Sequence, residues 1–231
     1  MQRMRKDCIL LACTHPLLKS INCSKLILHN IVSWKKHIKH FISDKIFPSH
    51  CTVFCFTETH NRDGQYQRIN ELLPDWDDVH SLEQQGIAIC YNTTKVKILK
   101  RFTYVGILQM LPLLLDIEGE KLFLITVYRP GGPIGNFVQE LITNIDLLRE
   151  DAAILEECRT LIVGDFNWDQ LLPEHRATFN PLCDRYNLHQ RSNYSTHSKG
   201  GILDLIFDNK KENDVDYIVT GYSDHFTLLV D

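Results

Sequence analysis

The sequence predicts an α/β fold in which two packed β-sheets carry helices on their outer faces. Three features lead there: strand-like segments outnumber helical ones, helical stretches separate groups of strands, and several strands are nearly continuous in Val, Ile and Leu. Continuous apolar strands call for burial on both faces, and grouped strands fit layered sheets better than one doubly wound sheet. With 231 residues, 44% hydrophobic and 23% charged, the chain is sized for one core. That core is expected over residues 25–231, with 1–24 as a leader of different character.

Residues 25–31 form a short apolar strand candidate, after which Ser33 offers an N-cap and Trp34, Ile38, Phe41 and Ile42 share one helical face. Residues 52–56 read as a buried strand that stops at Thr57, Glu58 and Thr59. Strands follow at 86–91, 95–102 and 111–116, and Glu118, Gly119 and Glu120 turn the chain into 121–128. Arg129, Pro130, Gly131, Gly132 and Pro133 continue neither kind of element, so they are expected as a loop. Asn136 is then expected to cap a helix with Phe137, Leu141, Ile145 and Leu148 as its apolar stripe. After a strand at 160–163, the sequence predicts a helical stretch at 173–186 and strands at 202–207, 215–219 and 226–230. There are no internal repeats and no low-complexity tracts.

The balance of 25 basic and 29 acidic residues gives a net charge of −4, so no global basic field points to a nucleic-acid partner. A site rich in carboxylates is, however, locally acidic before a metal binds it. Cys51, Cys55, Cys90, Cys158 and Cys183 lie in or beside apolar segments and are expected as reduced, buried small hydrophobes. Cys51 and Cys55, at i and i+4, would share a strand face. Arg3, Arg5 and Lys6 before Cys8–Cys13 imitate a secretory leader, but the apolar run ends at Thr14, His15 and Pro16. No stretch reaches the length of a membrane span, and the expectation is a nuclear or cytoplasmic protein with no membrane partner.

Polar residues fall at strand ends. Asn30, Glu58, Tyr128, Asp165 and Asn167 each close a predicted strand, and strand ends in layered sheets converge on one rim. Asp204 lies among Ile202, Leu203, Leu205 and Ile206, where a carboxylate is costly without a partner; His225, in the trio Ser223, Asp224, His225, is the candidate. Carboxylates, an amide and an imidazole together suit hydrolysis of a phosphodiester once a divalent ion is added. Singly, each has a plainer reading: Glu58 as a solvated cap, Asp165 and Asn30 as turn residues, Tyr128 as a core aromatic with a wet tip.

The ordered series of Asn30, Glu58, Tyr128-x-Pro130, Gly164-Asp165-x-Asn167, Asp204 and Ser223-Asp224-His225 resembles the endonuclease/exonuclease/phosphatase superfamily over about residues 25–231. The segments His29–Ser33, Phe56–His60, Tyr128–Pro130 and Gly200–Ile206 look most like the endonucleases of transposable elements, of the long interspersed retroelement and rolling-circle types, which are similar to exonuclease III. The resemblance implies a four-layer α/β sandwich, with two central mixed sheets flanked by helices, and Mg²⁺- or Mn²⁺-dependent nicking of DNA by a monomer. It makes Glu58, Asn30 and Asp224 metal ligands, His225 and Asp204 a catalytic pair, and Asp165 with Asn167 the group that positions or deprotonates the water. Tyr128 would hydrogen-bond the phosphate. Either Asp165 or His225 would be the base. Gly131 and Val32 depart from the residues common in apurinic endonucleases, which counts against abasic-site specificity.

Arg129, Thr196 and Ser223 are the expected substrate contacts, with His197 and Lys199 as further backbone contacts. Two other readings accompany this one. Phosphatases and phosphodiesterases of the same superfamily, acting on inositol phosphates, sphingomyelin or poly(A), share the inner residues. Inositol phosphatases, though, usually carry an arginine shortly after the Gly-Asp-x-Asn motif, where this chain has Trp168 and Asp169. An inactive nucleic-acid-binding remnant of a mobile element, or a host-adopted copy, is the third.

Overall fold

A computed structural model describes residues 26–43, 51–60, 67–81, 86–103, 108–210 and 215–230. The leader expected at 1–24 lies outside them. The strands are β1 (Leu26–Asn30), β2 (Val53–Thr57), β3 (Trp76–His80), β4 (Ile87–Asn92), β5 (Val96–Arg101), β6 (Gln109–Ile117), β7 (Glu120–Tyr128), β8 (Arg159–Asp165), β9 (His189–Gln190), β10 (Asp204–Asp208), β11 (Val215–Ile218) and β12 (Thr227–Val230). The helices are α1 (Trp34–Ser43), α2 (Phe137–Asp151), α3 (Pro173–Ala177) and α4 (Asn180–Tyr186).

The strands form two six-stranded mixed sheets, ordered β11-β12-β1-β2-β4-β3 and β5-β6-β7-β8-β10-β9. Each sheet has one parallel pair at its centre, β1 with β2 and β7 with β8; its other pairs are antiparallel. Strand alternation explains the continuous apolar runs. Leu26, Leu28, Val53 and Cys55 face Leu113, Leu115, Leu124, Leu161 and Val163 between the sheets. Ile27, Phe54 and Phe56 point the other way, onto Trp34, Ile38 and Phe41 of α1. On the far side, Phe123, Ile125 and Val127 pack against Phe137, Leu141 and Ile145 of α2 and Leu182 of α4. The result is a four-layer α/β sandwich, the expected fold class.

Several local expectations are corrected. The helical stretch at 173–186 is two short helices, because Pro181, in the first turn of the second, has no N–H to offer the Ala177 carbonyl and its ring crowds that carbonyl, so one continuous helix cannot run through it. Asn136 occupies the N-cap position of α2 without a side-chain capping bond. Glu118 and Gly119 form the β6–β7 turn, with φ of 52° and 94°, and Glu120 already belongs to β7. Cys51 precedes β2 and packs on the α1 side, whereas Cys55 lies between the sheets, so the two face opposite ways. All five described cysteines are free thiols. No helix among the described residues is long and apolar enough to cross a membrane.

Candidate active site

The two central parallel pairs end at the same rim. Asn30 is the last residue of β1 and Glu58 follows β2; Tyr128 and Asp165 are the last residues of β7 and β8 and stand opposite each other in register. Asp204 opens β10 and pairs with Asp165. Gly164 is what allows β7 and β8 to run so close here, since a Cβ at this position would overlap the Val127 carbonyl. Left-handed backbone gathers nearby, with φ of 56° at Val32, 53° at Glu58 and 46° at Asn167. For a β-branched valine that conformation is costly, and such strain collects where the surrounding fold fixes functional groups.

Three polar contacts stitch one sheet to the other. The Asn30 amide donates to Asp165 Oδ2 at 3.0 Å, the Tyr128 hydroxyl donates to Glu58 Oε1 at 2.7 Å, and His225 Nδ1 lies 2.8 Å from Asp204 Oδ2. Asp165 also accepts from the Asn167 backbone N–H at 2.9 Å and its side-chain amide at 3.2 Å. His225 Nε2 is 4.0 Å from Asp165 Oδ2, wide enough for both groups to approach one oxygen between them. The seam is therefore a polar rim whose members come from both halves of the chain.

Burial sets its electrostatics. Asp165 and Asp204 are essentially inaccessible to solvent. Burial, reinforced by the neighbouring Asp204 charge, pushes the Asp165 carboxyl well above the usual carboxylate range. Burial disfavours the His225 cation, but Asp204, followed by Asp165 and Asp224, outweighs it and raises the imidazole to about 9. Burial and the bond to Glu58 raise the Tyr128 phenol far above its ordinary value, so this group is a donor and not a phenolate at neutral pH.

The expected contact residues are occupied by their own chain. Arg129 is 4% exposed; its guanidinium donates to the carbonyls of Phe166, Asn167 and Gly132 at 2.7–3.0 Å. Thr196 Oγ1 accepts the backbone N–H of Leu203 and of Asp204. Ser223 Oγ donates to the Asn30 carbonyl and accepts the His225 N–H. These three side chains build the rim from within, because each polar group already has a backbone partner. Asp224 is exposed and pairs with His197 Nε2 at 3.2 Å, while His197 packs edge-on against His225 with centroids 4.8 Å apart. Sequence reasoning gave His197 only a phosphate contact; the signal for its Asp224 partner was topological, in an isolated bridge between 197 and 225.

The donor set suits a hard divalent cation. Asp165, Asp204 and His225 lie with ligand atoms within 4.8 Å of one another, as do His197, Asp224 and His225. Asp204 Oδ1 is buried without a hydrogen-bond partner, and unpaired buried oxygen is expensive. Carboxylate and amide oxygens crowded into a buried rim are the ligands that Mg²⁺ or Mn²⁺ prefers. Glu58 belongs to neither three-residue group among the described residues, and it reaches the seam through Tyr128.

No protein-family model and no curated protein sequence matches the chain. Solved structures share its fold at low identity. The human Nocturnin catalytic domain, solved with a bound sulfate anion, has a TM-score of 0.66 at 14% identity, over 89% of this chain and 91% of that one. The 3′ phosphatase NExo from Neisseria, bound to a product DNA hairpin, has a TM-score of 0.65 at 15% identity, over 90% and 99%. An endonuclease/exonuclease/phosphatase family protein from Leptotrichia buccalis has a TM-score of 0.64 at 15% identity, over 90% and 99%. Likeness at this level establishes the fold: the sandwich is of the endonuclease/exonuclease/phosphatase type.

Proposed function

From that shared fold and the polar seam at its rim, we propose that the chain is a divalent-metal-dependent hydrolase of phosphodiester bonds that nicks DNA, acting as a monomer in the nucleus or cytoplasm. The observation that supports it most is the buried cluster of Asp165, Asp204 and His225, which Asn30 joins through Asp165 and beside which Tyr128 bonds Glu58. The ordered motifs and their likeness to transposon endonucleases favour DNA over a small phosphate ester.

Asp204 holds the His225 ring so that Nε2 faces the space beside Asp165. An imidazole fixed in this way can hydrogen-bond a phosphoryl oxygen. Asp165 is oriented by the Asn30 and Asn167 amides and is the better-placed acceptor for a proton from the attacking water. Asn167 is itself fixed by a bond from its amide to the Arg129 carbonyl. Tyr128, a neutral donor bonded to Glu58 here, would turn its hydroxyl to a phosphate oxygen once Glu58 holds the cation. Glu58, Asn30 and Asp224 would hold the cation, which when bound supplies positive charge to the phosphoryl group.

The test is a substrate panel of supercoiled plasmid, abasic oligonucleotide, poly(A) and inositol phosphate, each with Mg²⁺, with Mn²⁺ and with chelator. Conversion of supercoiled to open-circular plasmid is expected, blocked by chelator and lowered by orders of magnitude in Asp165→Asn and His225→Ala without loss of fold. Turnover confined to inositol phosphate would transfer the site to the phosphatase reading. Plasmid binding without cleavage would make the chain an inactive remnant.

A further inference from the structure

Beside the rim, two tyrosines stand in solvent. Tyr194 is 59% exposed and Tyr217 40%, and their rings lie 5.6 Å apart at 42°. Tyr217 in turn stacks on Phe226 at 5.7 Å and 19°. The three rings come from different parts of the fold: Tyr194 from the segment between β9 and β10, Tyr217 from the edge strand β11, Phe226 from the residue after His225. The other exposed large hydrophobics among the described residues are aliphatic.

This row shares its backbone frame with the candidate site. The Phe226 N–H donates to the Thr196 carbonyl at 2.7 Å and the Ser198 N–H to the Asp224 carbonyl at 2.8 Å, while 197 bridges to 225. Tyr194, Phe226 and the His225 imidazole are thus held by the same pair of segments, and Tyr217 joins them from β11 through its stacking on Phe226.

We propose that Tyr194, Tyr217 and Phe226 form a stacking platform for unpaired nucleotides flanking the scissile phosphate. The proposal rests on reading the rim as a phosphodiester site, and it narrows the substrate to a nucleic-acid strand with unstacked bases. Every nucleobase offers a flat face to an exposed ring, whereas a phosphorylated sugar or inositol offers none. Charge points the same way. A net charge of −4 gives no overall positive field, and Arg129 is turned into its own backbone, so a source of affinity besides phosphate neutralisation is favoured. Ring stacking is such a source.

The experiment measures binding of a labelled oligo(dT) strand, an oligo(rU) strand and a blunt DNA hairpin to the full chain in chelator, for the parent, Tyr194→Ala/Tyr217→Ala and Tyr194→Phe/Tyr217→Phe. The parent should prefer the single strands, the alanine pair should lose about tenfold or more in affinity for them, and the phenylalanine pair should bind like the parent. Tyr194→Ala alone, at the more exposed ring, serves if the double variant does not fold. Equal binding by parent and alanine variants overturns the platform. So does equal loss in the phenylalanine pair, which would assign the contacts to the hydroxyls, and so does a concentration-dependent dimer that the alanine pair dissolves with oligonucleotide affinity unchanged. A parent that binds strands through the rings but cleaves no phosphodiester with Mg²⁺ or Mn²⁺ would refute the hydrolase reading and leave the platform standing.

Discussion

His197 holds its ring in one tautomer. Its Nδ1 accepts the Lys199 backbone N–H at 3.1 Å, so the proton sits on Nε2 and points to Asp224 Oδ2. Two substitutions separate these bonds. His197→Asn keeps an acceptor for Lys199 and loses the donor to Asp224; His197→Gln does the reverse. The Mg²⁺ concentration for half-maximal nicking should rise about tenfold in the asparagine variant and stay near the parent in the glutamine variant, since a hydrogen bond to a charged group is worth about 1.5–3 kcal/mol. The opposite order would reduce His197 to a loop anchor. A second residue, His29, is fully enclosed between Phe41, Phe56 and Tyr222, and burial lowers its pKa to about 3. The unfolded chain binds that proton near 6.5 and the folded chain does not, so His29 leaves stability intact above pH 6.5 and erodes it as pH falls toward 3. The slope is about 1.4 kcal/mol per pH unit. The difference in urea-unfolding stability between the parent and His29→Gln should follow this slope from pH 7 to 5, since the raised Asp165 carboxyl contributes an opposite slope to both chains. At this scale residue types were legible, because Asp, Asn and His at strand ends carry chemistry. Their partners were not: the bonds of Arg129, Thr196 and Ser223 to backbone carbonyls and N–H groups leave no trace in composition.

Among the elements, β7 and β8 depend on one missing side chain. Gly164→Ala would drive a Cβ into the Val127 carbonyl and displace Asp165 beside it. Overpacking of this kind costs about 1–3 kcal/mol, so the melting temperature should drop by several degrees and nicking should fall by more than the lost stability explains. Melting and turnover unchanged from the parent would show that the strands can part without cost. Strands written in Val, Ile and Leu were legible here, and so were the helices with an apolar stripe. β3 was not, because Asp77 and Asp78 interrupt it. Asp78 is buried on a strand only because Arg68 lies at 3.2 Å, His80 at 2.9 Å and the Ile69 N–H at 2.7 Å, none of which a periodicity can announce. β9, two residues long, carries no pattern at all. Pro181 did announce the break between α3 and α4, and a stricter reading of proline would have placed it.

The whole molecule pairs a dry centre with a wet end. Between the sheets the contact is aliphatic along most of its length, which is why the layered class could be read from continuous apolar strands. That the strand-end residues meet at one rim followed from topology once the class was known, whereas the exposed aromatic row, assembled from three separate segments, could be seen only in the folded chain. The seam has a dynamic consequence. Where aliphatic packing gives way to a few polar bonds and a crowd of carboxylates, the two halves are free to breathe, and that end should exchange its amide hydrogens faster than the strand centres. A bound cation would clamp it. Mn²⁺ or Mg²⁺ should slow exchange at Asn30, Tyr128 and Asp165 in the parent and leave it unchanged in Glu58→Ala, so that this end would close only around its cation.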